Sequence, residues 1–197
     1  MTLVIENPSR ALRLKMLTRE THEILDNSIM AAASFQSVDG YANFAAIQYL
    51  FHREIDALYS DNALLAALPG LAERRSSPLI AADLADLGKA LPDADGKPQF
   101  SEDEEADIPT ALGWLYVAEG SNMGAALLRK EAAKLGLSDS LGARHLAPAP
   151  EGPAAHWRQF TASLDAVDLS PEEEERVVAG AQAAFQCVQH LANARLG

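Results

Sequence analysis

The residue best placed for chemistry is His22. Leu14, Leu17, Thr21, Leu25 and Ser28 recur at helical spacing and form an inward stripe, and His22 falls at its edge, near Thr18 and Leu25. Lys15 and Arg19 lie on the outer side, two turns and one turn earlier respectively. A neutral imidazole nitrogen is a natural axial ligand for iron, and cations beside it suit a ligand that carries anionic groups. The competing reading is a half-buried structural histidine.

A second feature is a row of glycines, Gly113, Gly120 and Gly124. Offsets of seven and four put them on one face of a helix, where each costs about 1 kcal/mol relative to alanine. Either two helices pack closely there or a flat ligand approaches the backbone. Spacing alone leaves both open. The pair Gly120 and Gly124 is flanked by Glu119, Arg129 and Lys130, which excludes a membrane dimer motif, and no strand precedes it as a dinucleotide fingerprint requires.

Other chemistries fall away. His52, His145, His156 and His190 lack a glutamate three residues earlier, so the carboxylate di-iron pattern is missing, and they read as structural. There is no His-Glu-x-x-His and no Gly-x-Ser-x-Gly. The one cysteine, Cys187, sits among apolar neighbours and reads as a core residue.

The elements that must position these residues are helices. Alternating runs of β-branched residues are nearly absent, while helix starts recur: Asn7-Pro8, Ser77-Pro78, Ser101 with Glu104, and Ser170-Pro171 with Glu173. The pattern predicts an all-α, single-domain bundle over 1–197, with helices near 9–32, 40–58, 61–67, 78–87, 102–134, 152–166 and 171–194. A chain of 197 residues with 48% hydrophobic residues can bury a core unaided.

The net charge of −12 disfavours nucleic acid and an anionic membrane as partners. Against it, residues 10–19 hold Arg10, Arg13, Lys15 and Arg19 with no acid, a local patch that suggests a small anionic ligand. The start has no signal-peptide pattern and no run is apolar enough to span a bilayer, so a cytoplasmic protein is expected.

The run from Gly113 to Ala126, GWLYVAEGSNMGAA, resembles the distal helix of bacterial, biliverdin-producing haem oxygenases. Residues 17–25, LTRETHEIL, resemble the proximal helix of the same family, with His22 at the ligand position. Further similar stretches are 48–51, 82–88 and 142–146, in the same order along the chain.

The resemblance implies haem held between a proximal and a distal helix of the bundle. His22 would be the axial iron ligand, and Gly120, Ser121 and Gly124 would form the distal side. Small backbone groups and water there would direct oxygen to the porphyrin edge without a strong acid to promote O–O heterolysis. Lys15, Arg19, Arg129 and Lys130 would pair with the propionates, and Tyr116 would contact one or line the pocket.

The implied reaction is oxidative cleavage of haem, at once substrate and cofactor, to biliverdin, CO and ferrous iron. It needs O2 and electrons from a ferredoxin or a flavin/NAD(P)H reductase, since no flavin or nicotinamide motif is present. A monomer is expected. The alternative is a haem-binding protein for storage or sensing, without turnover. Ser121 stands where animal members carry an aspartate.

Overall fold

A computed structural model describes residues 8–31, 35–94 and 96–196. The helices are α1 (Arg10–Ala31), α2 (Val38–Ile55), α3 (Asn62–Ala67), α4 (Ser77–Asp86), α5 (Ile108–Ser121), α6 (Ala125–Lys134), α7 (Pro153–Ala166) and α8 (Pro171–Leu196). Short 3-10 turns lie at Asp56–Ser60, Ala72–Arg74 and Arg144–Leu146. Among the described residues no strand forms, only isolated bridges at Ser138. The all-α expectation holds, and six of the seven expected helices fall within a few residues of their places.

The exception is the helix expected over 102–134. Residues 102–107 are not helical, and Ser101 with Glu104 makes a turn through its backbone instead of a capping box. The cap is Asp107, whose side chain accepts from the Thr110 N–H ahead of Pro109 in the first turn. Near Gly120 the helix then breaks into α5 and α6. The caps at the last helix are as expected: Ser170 and Glu173 exchange side-chain bonds to each other's backbone N–H. The Asn7 cap lies outside the described residues, and Ser9 Oγ accepts from Leu12 N at the start of α1.

Packing explains why α5 is central. Every residue from Ala111 to Glu119 is buried, so this helix is apolar all round and must be enclosed. Its closest approach is to α8. A Cβ on Gly113 would overlap the Val177 carbonyl, and one on Gly180 would overlap the Thr110 carbonyl. These two glycines let the backbones touch. Helix α1 also packs on α8, and on α7, so α8 is a floor shared by α1 and α5.

Helix α1 differs from expectation in detail. Leu14, Thr18 and Leu25 are buried, while Leu17 is 53% exposed. Its basic patch is split. Arg10 is buried and binds the Val167 carbonyl at 2.7 Å, the Leu164 carbonyl and Glu174. Arg13 binds the same carboxylate. Both cations clamp α1 to the start of α8 and are unavailable to an anionic ligand. Glu174 is held below the usual carboxylate range by Arg10 and Arg13, against the opposing effect of its partial burial.

Candidate active site

His22 is exposed on α1, and its ring lies 5.7 Å from the buried Phe185 ring of α8 at a 43° tilt. Elsewhere on its surface α1 presents apolar side chains to solvent, among them Met16, Leu17 and Ile24. Lys15 is exposed with no ion pair among the described residues, and Arg19 makes only a loose 3.5 Å contact with Glu23. Both remain available to an anion.

The expected distal glycines lie at the break between α5 and α6. There the backbone runs on i to i−3 bonds: Asn122 N to Glu119 O at 3.3 Å, Met123 N to Gly120 O at 3.1 Å, and Gly124 N to Ser121 O at 3.1 Å. Such tightening ends α5 and turns the chain before α6 begins. The three glycines therefore do not share one job. Gly113 is a packing glycine, whereas a Cβ on Gly120 would meet only the Trp157 ring at 3.7 Å, and one on Gly124 only the Ser121 carbonyl at 3.6 Å. The fold does not require these two glycines for packing.

Other expected site residues fall as follows. Tyr116 is buried one turn before Gly120, its ring 5.6 Å from Trp157, and burial raises its phenol above the usual range. Ser121 Oγ donates to the Ala118 carbonyl at 2.6 Å, so its proton is committed and its lone pairs are what it offers. Met123 and Leu127 are exposed. Lys130 is exposed with no ion pair among the described residues. Arg129 is different: its Nε bonds Asp139 at 2.6 Å, and it borders an open cavity of about 570 Å³ with Arg74 and His156, which His22 does not line.

Two buried polar groups escaped the sequence reading. Asp83, fully buried on α4, accepts from the backbone N–H of Arg144 and His145, both at 3.0 Å, and lies 2.7 Å from His145 Nδ1. This ties the 144–146 turn to α4. Glu119, 2% exposed, accepts from Arg74 Nη1 at 2.8 Å, and His156 Nε2 lies 3.7 Å away. Burial raises the Glu119 carboxyl above its ordinary value, with Arg74 and His156 opposing. The signal for Glu119 was present: it is the lone acid ending an otherwise apolar run, Ala111 to Ala118.

The bundle thus carries an exposed histidine on α1, its ring against Phe185 of α8, and two glycines without tight contacts at the α5–α6 break. The chain matches the family described as "Heme oxygenase" over residues 9–194 and belongs to that family. It is 43% identical over 176 residues to "Heme oxygenase PigA" of Pseudomonas aeruginosa, covering 89% of this chain and 87% of that one. Its fold is similar to the NO- and CO-bound haem oxygenase of Neisseria meningitidis, with a TM-score of 0.90 at 38% identity over 97% of this chain and 94% of that one. The haem oxygenase of Synechocystis, solved in complex with haem, shares the fold with a TM-score of 0.75 at 15% identity, over 95% of this chain and 92% of that one. The family favours haem degradation over haem storage without turnover.

Proposed function

We propose that this haem oxygenase degrades its substrate in the cleft above α8, with His22 as axial ligand and the Gly120–Gly124 bend as distal wall. The observation that carries the proposal is the pairing of an exposed His22 over Phe185 with two glycines that packing does not need. When bound, haem supplies the iron that activates O2 and the porphyrin that is oxidised, yielding biliverdin, CO and ferrous iron.

The protein's part is placement. Phe185 fixes the tilt of the His22 ring from below. Lys15, Arg19 and Lys130 hold the propionates by charge-assisted bonds, and Tyr116 closes the pocket beneath the bend. Arg129 joins them only by releasing Asp139. Gly120 and Gly124 keep the distal wall low, and Ser121 offers its oxygen lone pairs to water there. Electrons come from a separate ferredoxin or flavin reductase. The working unit is a cytoplasmic monomer built as one domain.

The test is a hemin titration of the wild type and His22→Ala, followed by spectra under air with ascorbate or a reductase. The wild type gives a saturable, histidine-type Soret band that converts to a bilin spectrum, and His22→Ala loses that band. A Soret band unchanged in His22→Ala overturns the ligand assignment. A stable wild-type complex that yields no bilin with any reductant overturns the turnover.

A further inference from the structure

The bend begins at one residue. The Glu119 carbonyl accepts the first i to i−3 bond, from Asn122, and Glu119 is the last buried residue of α5 before Gly120 and Ser121 emerge toward solvent. Its side chain is held from three other elements. Arg74, itself buried on the 72–74 turn, forks between the Glu119 carboxylate at 2.8 Å and the His156 carbonyl of α7 at 3.0 Å. The His156 ring stands 3.7 Å from the same carboxylate and bonds the exposed Glu151 at 2.7 Å through Nδ1. From the 56–60 turn comes Tyr59, whose buried phenol faces Glu119 and is raised above its usual range first by burial and then by the Glu119 charge.

A buried ion pair is a poor device for stability alone, because desolvation consumes most of its Coulombic gain. What it does well is fix direction: a forked guanidinium holds a carboxylate in one orientation. Here the fixed carboxylate belongs to the residue whose carbonyl starts the bend.

We propose that Glu119 is a positioning residue of haem oxidation, clamped by Arg74 and His156 so that the Gly120–Gly124 backbone stands at one set distance from the oxygen side of haem. This rests on the assignment of that bend as the distal wall. Substituting Gln for Glu119 keeps the shape and a neutral bond to Arg74 but removes the charge that locks the fork. The groups facing Glu119 are Arg74, His156 and Tyr59, with Glu151 behind His156 and Asp56 near Tyr59. A loosened bend changes how water and backbone are arranged above the iron.

The experiment compares the wild type, Glu119→Gln and Arg74→Lys by three measurements: hemin affinity, the pH midpoint of the ferric haem spectrum, and the rate of bilin formation at saturating reductant. For Glu119→Gln, hemin affinity within threefold of the wild type is expected. The spectral midpoint should move by about half a pH unit or more, and bilin formation should slow about tenfold. Arg74→Lys, which keeps a cation but loses the fork, should move the same readings in the same direction by less. A spectral midpoint and a rate both unchanged in Glu119→Gln overturn the proposal and leave the pair purely structural. If Glu119→Gln does not fold, an unchanged midpoint and rate in Arg74→Lys overturn it equally. Failure of the site assignment looks different: the wild-type Soret band would then survive His22→Ala.

Discussion

At the scale of single residues, glycines of one sequence type do opposite work, and substitution separates them. Alanine at Gly113 would drive its methyl into the Val177 carbonyl and the backbone of α8, which cannot retreat as a flexible side chain could. Gly113→Ala is expected to cost about 3 kcal/mol, the upper range for overpacking, read as a fall in the denaturation midpoint. Alanine at Gly120 meets only the Trp157 ring at ordinary contact distance. Gly120→Ala is therefore expected to leave apoprotein stability within about 1 kcal/mol, helped by helix propensity, while slowing bilin formation. Equal destabilisation by both would refute the division. The sequence spacing placed all three glycines on one face and so could not tell these roles apart. That difference depends on which partner each faces across the bundle. The placement of His22 at the margin of α1's buried face was legible for the opposite reason: it is a local property of its own helix.

At the scale of elements, caps and hydrophobic period marked most helices, because those signals lie within a few residues of each other. What they could not show is where charges meet across the chain. Arg10 and Arg13 looked like part of an anion site, yet their partner Glu174 is about 160 residues away on α8. The Ser101–Glu104 pair resembled a helix start, but the stronger device of Asp107 with Pro109 won six residues later. The α1–α8 clamp predicts that the cleft depends on it. Arg10→Ala leaves the Leu164 and Val167 carbonyls without their side-chain donor and Glu174 with Arg13 alone, at an expected cost of about 3 kcal/mol. Since α1 carries His22, hemin affinity should fall in the same variant, although Arg10 is buried against α7 and α8. Urea titration and hemin titration of one preparation check both. An unchanged hemin affinity would show that α1 is held well enough by its apolar face alone.

At the scale of the whole molecule, the chain combines a charge of −12 with ionisable groups buried deep in the bundle, and this sets its response to acid. His52 on α2 is 6% exposed, its Nδ1 has no hydrogen-bond partner, and burial lowers its pKa to about 4, with the nearby His145 adding to the effect and Asp56 opposing it. The unfolded chain binds this proton near pH 6.5. Between those values the unfolded state holds a proton that the folded state refuses, so stability falls as the pH drops. His52 thus contributes its full share above pH 6.5 and loses it progressively down to about pH 4. At about 1.4 kcal/mol per unit, acidification from pH 6.5 to 5 costs about 2 kcal/mol from this one group. Glu174 and Asp83, whose carboxyls are held below their ordinary values, act in the same direction lower on the scale. Their stabilisation is complete above the unfolded carboxylate range and disappears as the pH falls through their folded values. Denaturant midpoints of wild type and His52→Gln at pH 7, 6 and 5 separate the two. Glutamine carries no titratable proton, so the variant should show a shallower loss between pH 6.5 and 5, whatever its stability at pH 7. Parallel curves for the two proteins would mean that His52 takes up its proton in the folded state as readily as in the unfolded one.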